Sequence, residues 1–192
     1  YEGTNEINRM LSVGMLVKKS MKGELDLMSA VMKVAGEMTA GGTEENIDPN
    51  QPLSVESQKI KNLKKVYLMI AGSAFQKYGQ DLDKHQQTLI GLSDMMIEIY
   101  FAESAILRTL KNSNRGMDMQ HQMDMTRLYV FDAVEMAIKR SKEIIGNIAE
   151  GDAQLNLMKS VHRLCRYDQL PNIIGLKNRI ADKVIKENKY CF

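Results

Sequence analysis

Apolar residues recur at three- and four-residue spacing along most of the chain, and glycine and proline divide that pattern into helical segments. The first predicted helix runs from about Asn5 to Met21, with Ile7, Met10, Leu11, Met15 and Leu16 forming an apolar stripe. Gly23 breaks it. A second helix continues from Glu24 to Met38 along Leu25, Met28, Val31 and Met32, until Gly41 and Gly42 end the regular pattern. Thr43 to Gln58 holds Glu44, Glu45, Asp48, Pro49, Pro52 and Glu56 with no basic residue, and reads as an acidic connector. Around Ser54 and Ser57 a long helix begins, carried by Leu63, Val66, Tyr67, Ile70, Ala71, Ala74, Phe75 and Tyr78. Gly79 and the polar run Gln80 to Lys84 allow a turn, and an apolar helix follows from about His85 to Lys111. Three more helices are predicted, over about Met117 to Ile148, Gly151 to Arg166 and Ile174 to Asn188. No window alternates apolar and polar residues long enough for a half-buried strand. Long helices joined by short polar turns predict an all-α, antiparallel up-and-down helical bundle.

Composition narrows the class. The 192 residues carry a formal net charge of +2, with 44% hydrophobic and 26% charged positions. A chain of this size buries roughly 70% of the surface its unfolded form exposes, so it needs no disulfide staple. Its two cysteines, Cys165 and Cys191, form no disulfide-type framework and suit a reducing compartment. Near-neutral charge argues against nucleic acid as the main partner. The most apolar stretch, Thr88 to Leu110, contains Asp94, Glu98, Glu103 and Arg108, and so reads as a buried helix rather than a membrane span. The chain opens on Tyr1 with no initiator methionine or targeting-like segment, and reads as a fragment.

Most candidate chemistry has a plainer explanation. Met117, Met119, His121, Met123 and Met125 alternate, and alternate residues of a helix point in different directions, so they do not converge on one copper ion. Methionine is also this chain's routine core filler, at fifteen copies. His162 and Cys165 stand one turn apart, but a structural zinc usually takes four ligands and no second pair lies nearby; a buried, inert pair is expected. Asp94 and Glu98 could serve a di-metal bundle site only with Glu-x-x-His motifs, which are absent. They are expected to be buried acids satisfied by Arg or Lys on a neighbouring helix. From Lys159 onward eight Lys/Arg stand against three Asp/Glu, a bias that suits either a solvated face or contact with an anion. No metal site is expected.

One segment remains. Tyr1-Glu2-Gly3-Thr4-Asn5-Glu6-Ile7-Asn8-Arg9-Met10 places a carboxylate and a glycine just before a helix start, with Thr4 or Asn5 as a competent N-cap. Capping alone accounts for these residue types. The run YEGTNEINR nevertheless closely resembles the C-terminal signature of acyl-CoA dehydrogenases, commonly Y-E-G-T-N-E-I followed by Gln or Leu and Arg, with Asn8 here at the variable place. Ordinary members end soon after the helix this motif starts, whereas here about 170 further residues follow, similar to the extra helical domain of the very-long-chain subgroup. Ser93 to Leu110 resembles that tail's S-D-x-x-I-x-(I/L)-Y segment more loosely.

The resemblance implies a C-terminal portion of an FAD-dependent enzyme that oxidises fatty acyl-CoA to trans-2-enoyl-CoA in fatty acid β-oxidation. Residues 1–22 would be the last helix of the catalytic bundle and residues 24–192 an appended helical domain. Glu2 would be the catalytic base, Gly3 would lie against the substrate, and Thr4, Asn5 and Glu6 would contact FAD. Implied partners are the rest of the dehydrogenase chain, fatty acyl-CoA, an electron-transfer flavoprotein and a second copy in a homodimer. The acidic connector opposes anionic lipid, so structural packing is favoured over membrane attachment for the tail. A bacterial cytoplasmic location is expected, or the mitochondrial matrix in a eukaryote. Only one helix of the catalytic bundle is present, so these residues alone are expected to bind no FAD and to oxidise nothing. The alternative is a free-standing all-α interaction or membrane-peripheral module whose opening residues do nothing but cap a helix.

Overall fold

The computed structural model describes residues 3–39, 47–48 and 50–189. Among these, seven α-helices form the bundle and no strand occurs: α1 (Asn5–Met21), α2 (Leu27–Thr39), α3 (Ser54–Tyr78), α4 (Gln86–Ser113), α5 (Gln120–Ile148), α6 (Gly151–Cys165) and α7 (Ile173–Glu187). A short 3₁₀ segment, Gly79–Lys84, makes the turn between α3 and α4.

The core lies among α3, α4, α5 and α6. Leu63, Val66 and Ile70 of α3 meet Leu92 and Met95 of α4, Val130, Val134 and Ile145 of α5, and Val161 of α6, all buried. Each large apolar side chain removed from water contributes about 1.5–3 kcal/mol, so this four-helix interior dominates the stability of the fold. Gly91 lets α4 and α5 close up: a Cβ there would sit 3.1 Å from Ile144. A buried Thr109–Thr126 hydroxyl pair at 3.0 Å joins the same two helices nearer the other end.

Polar side chains tie off helix ends. Lys59 of α3, itself buried, donates to the carbonyl of Arg166, and the amide of Asn62 donates to the carbonyl of Leu164 at 3.0 Å. Both acceptors belong to the C-terminal end of α6, where helix geometry leaves carbonyls without intrahelical donors.

Several boundaries move from their predicted positions. The second helix starts at Leu27 rather than Glu24, because the Asp26 carboxylate accepts from the amide of Ser29 and opens the helix there. The fifth starts at Gln120 rather than Met117, after an Asp118 side-chain bond to the Gln120 amide. Of the connector, residues 43–46 and 49 lie outside the described residues, and Ser54 to Gln58 already belong to α3.

The apolar stripes of α1 and α2 are also used differently from the stripe of α3. On α1 only Val13 is fully buried, with Met10 and Leu16 packed on the core, while Ile7, Leu11 and Met15 are each about half exposed. On α2, Met28 and Met32 are exposed along an open groove and Val34 is the buried residue.

Candidate functional site

The candidate site is the N-terminal end of α1. Thr4 has extended backbone (φ −79, ψ 162) and its hydroxyl accepts from the amide of Ile7 at 3.4 Å, while its carbonyl accepts from the amide of Asn8 at 3.0 Å. Thr4, not Asn5, is therefore the N-cap. Gly3 has a φ of +90, a conformation that side-chain-bearing residues rarely adopt, and a Cβ at that position would come within 2.9 Å of the Asn8 side-chain oxygen. Backbone and packing thus both require glycine at position 3. Gly3, Thr4, Asn5 and Glu6 are all exposed, so the whole cap is available to a ligand or to another part of a larger protein. Glu2 and Tyr1 lie outside the described residues.

The arrangement is suited to polar and anionic groups. The amides of Asn5 and Glu6 fall in the first turn, which has no intrahelical acceptors, and the helix dipole adds partial positive charge there. Donor amides, one hydroxyl and the carboxylate of Glu6 converge on a convex helix end, not in an enclosed pocket.

What holds this end in place is a charge cluster across three helices. Arg9, one residue beyond the first turn, pairs with Asp94 of α4 at 3.0 Å, and Arg140 of α5 reaches the other carboxylate oxygen of Asp94 at 2.6 Å. One turn further along α1, Ser12 meets Ser93 of α4 at 2.9 Å. The expected matching of Asp94 by arginines on neighbouring helices is present. Glu98 differs: its partner is the Tyr129 hydroxyl, which burial and the hydrogen bond and charge of Glu98 together push up to about 12.

The other sequence candidates separate into distinct settings. Among the described residues, no group of three or more His, Cys, Asp or Glu is placed to hold a metal ion. Cys165 is buried, and desolvation raises its thiol to about 12, against a lowering by Lys59, so it is a poor nucleophile. His162, one turn away, is exposed, which corrects the expectation of a buried pair. From α6 onward three of the eight basic residues pair with acids: Arg166 with Asp168, Lys183 with Glu187, and Arg179 with Asp124.

Asp124 carried no signal in the sequence, yet it is the most deeply buried charge in the bundle, at 0% exposure. Burial raises its carboxyl, but the hydrogen bond and charge of Arg179, with Gln120 and Arg127, more than offset this and leave it below the usual carboxylate range. Its partner stands 55 positions away on α7, so periodicity around Asp124 could not reveal the pair.

Comparison with known proteins places the chain. The family described as "Acyl-CoA dehydrogenase, C-terminal domain" matches residues 62–163, within α3 to α6 and apart from the opening motif. A probable acyl-CoA dehydrogenase of Bacillus subtilis (strain 168) is 31% identical over 196 residues, covering 99% of this chain and 32% of that protein. A solved acyl-CoA dehydrogenase from Bacillus anthracis, complexed with FAD, superposes with a TM-score of 0.94 at 33% identity, over 100% of this chain and 32% of that one. The chain is a member of the acyl-CoA dehydrogenase C-terminal domain family. It spans about a third of the length of the relatives it matches.

Proposed function

We propose that this chain is the C-terminal part of an FAD-dependent acyl-CoA dehydrogenase that converts fatty acyl-CoA to trans-2-enoyl-CoA. The observation that carries the proposal is the run YEGTNEINR heading α1, where Gly3 is required by backbone and packing and Thr4 caps the helix, in a chain whose α3 to α6 match the same family independently.

Glu2 is the residue assigned to remove the substrate's α-proton. It directly precedes the obligatory glycine, whose missing side chain allows a thioester to approach the backbone. Exclusion of water on substrate binding would raise the basicity of the Glu2 carboxylate toward that needed for proton removal at neutral pH. FAD, when bound, supplies the acceptor for the β-hydride. Thr4, Asn5 and Glu6 are the residues of this chain placed to contact it, through a hydroxyl, first-turn amides and a carboxylate. Electrons then pass to an electron-transfer flavoprotein.

The division into residues 1–22, belonging to the catalytic bundle, and residues 24–192, an appended domain, is supported by the half-exposed row Ile7, Leu11 and Met15. These side chains sit at four-residue spacing on the face of α1 turned away from α4 and find no partner in this chain's core, as expected for a helix completed by other helices of the whole enzyme. In the whole enzyme we assign the tail a packing role at a homodimer's surface and a cytoplasmic location.

Flavin content and activity test this reading. The full-length protein carrying this chain is expected to purify yellow and to reduce an artificial electron acceptor with long-chain acyl-CoA. Residues 1–192 alone are expected to be colourless and inactive. A full-length protein without flavin, or a flavin-loaded preparation of the 192 residues, would overturn it.

A further inference from the structure

The opening run YEGTNEINR and the Ser93-Asp94 pair of α4, far apart in sequence, meet in the folded chain. Arg9 pairs with Asp94 at 3.0 Å, and Ser12 shares a hydrogen bond with Ser93 at 2.9 Å. Between the cap and Arg9 the backbone is stiff. Thr4 accepts from the amides of Ile7 and Asn8, and the Asn8 side-chain oxygen lies 2.9 Å from where a Cβ on residue 3 would sit. At about 1.5 Å of rise per residue, Arg9 stands roughly 7 Å along the helix axis from Thr4. Whatever fixes Arg9 therefore fixes the height and the rotation of the cap.

Apolar packing holds this end of α1 loosely. Val13 is the one fully buried residue of the helix, and Ile7 and Leu11, on either side of Arg9 in sequence, are each about half exposed. Asp94, by contrast, is buried and gripped from two sides. Arg140 of α5 reaches its second oxygen at 2.6 Å and is itself anchored to Glu143 at 2.8 Å. A carboxylate shared by two guanidinium groups has little freedom to turn, and charge-assisted hydrogen bonds are about twice as strong as neutral ones. The firmest contact near the cap is thus electrostatic, and its acid lies outside residues 1–22.

We propose that Asp94 is a positioning residue for proton removal: through Arg9 it sets the register of α1 on α4, and with it the place of the Glu2 carboxylate. This rests on the reading of Glu2 as the base, and it gives the helices beyond Gly23 a part in catalysis besides packing. Asp94 acts through Arg9 and not on the reacting atoms. Turning a helix by about 20° moves a group at its surface by more than about 1 Å, and a misplacement of that size can cost on the order of a hundredfold in rate.

The test is stopped-flow bleaching of the flavin by long-chain acyl-CoA in the full-length, FAD-bound enzyme, comparing the parent with Asp94→Asn, Arg140→Met, the two combined, and Glu2→Gln. In Asp94→Asn the limiting bleaching rate is expected to fall about ten- to hundredfold. Flavin content and the acyl-CoA concentration giving half the limiting rate are expected to stay within about twofold of the parent. A role confined to folding would instead lower flavin content and bleaching amplitude and leave the rate constant of the loaded enzyme as it was. Slowing by deuterium at the substrate's α-carbon is expected to be at least as large in the variant as in the parent, since proton removal is the step that suffers. Arg140→Met, which loosens Asp94 from one side only, is expected to slow bleaching less, and the combined variant to be no slower than Asp94→Asn, because both act through one carboxylate. A parent rate in flavin-loaded Asp94→Asn, a smaller isotope effect, or losses that multiply in the combined variant would each overturn the proposal. If Asp94→Asn purifies without flavin, a parent rate in Arg140→Met overturns it. Any of these with a slow Glu2→Gln leaves the reading of Glu2 intact, whereas a parent rate in Glu2→Gln overturns that reading and this proposal together.

Discussion

At the scale of single residues, Asp94 shows how a charge inside an apolar helix becomes structural. It lies on α4 between Arg9 and Arg140, so one carboxylate joins three helices and fixes the end of α1 that bears the motif. Both arginines keep about a third of their surface in water, which reduces the penalty of leaving them unpaired. Asp94→Asn, which keeps the shape and removes the charge, is therefore expected to cost about 1–3 kcal/mol. In a chain of this length that lowers Tm by several degrees in a thermal melt; an unchanged melt would show that the cluster is decorative. The matching of Asp94 was legible in the sequence, because an acid in an otherwise apolar helix must find a cation or remain costly. Asp124 and Lys59 were not legible. Each is buried by a partner more than fifty positions away, and nothing in their local spacing distinguishes them from solvated charges.

At the scale of elements, periodicity located the helices among the described residues, and end chemistry moved the starts of two of them. Asp26 and Asp118 delay α2 and α5 by accepting from the first-turn amides of Ser29 and Gln120, a local hydrogen bond that apolar spacing does not register. Side-chain direction was harder to read. The stripe Met28–Met32 on α2 satisfies the helical pattern and lines an open groove, so Met28 and Met32 stay exposed, because amphipathicity shows that a face is apolar and not how completely a neighbour covers it.

The last helix, like α1, is held by little apolar burial and an ion pair to the core. Only Leu176 of α7 is fully buried, and Arg179 reaches back to Asp124 on α5 at 2.8 Å. Because the folded-state pKa of Asp124 is lowered, its contribution is complete above the ordinary value of 3.8 and is lost as pH falls through the lower folded value. The stability difference between the parent and Arg179→Met, from urea unfolding, should hold steady from pH 7 to pH 5 and shrink below about 3.8. A difference that grows on acidification would contradict this assignment.

At the scale of the whole molecule, two faces of the bundle are incomplete in different ways. The row Ile7, Leu11 and Met15 on α1 is an exposed apolar edge that suits further helices, and the groove between α1, α2, α3 and α6 is concave and mainly apolar. The all-α architecture and the family were both legible, the first from spacing and the second from nine residues at the start of the chain. The groove was not, since it is formed by four helices that come together only in the folded chain. On the proposed reading, catalysis would draw on the opposite end of α1, where Glu2 would supply a base and Thr4 caps the helix, within a site that other parts of the enzyme would enclose.

The most direct measurement is therefore the anaerobic reduction of the flavin by long-chain acyl-CoA, followed by stopped-flow absorbance in the full-length enzyme and its Glu2→Gln variant. With Glu2 as the base, the variant should retain FAD and still bind acyl-CoA, while the rate of flavin bleaching falls by roughly 10²–10⁴-fold, the usual contribution of a general base. Bleaching at the parent rate with Glu2→Gln would show that the proton leaves to another group.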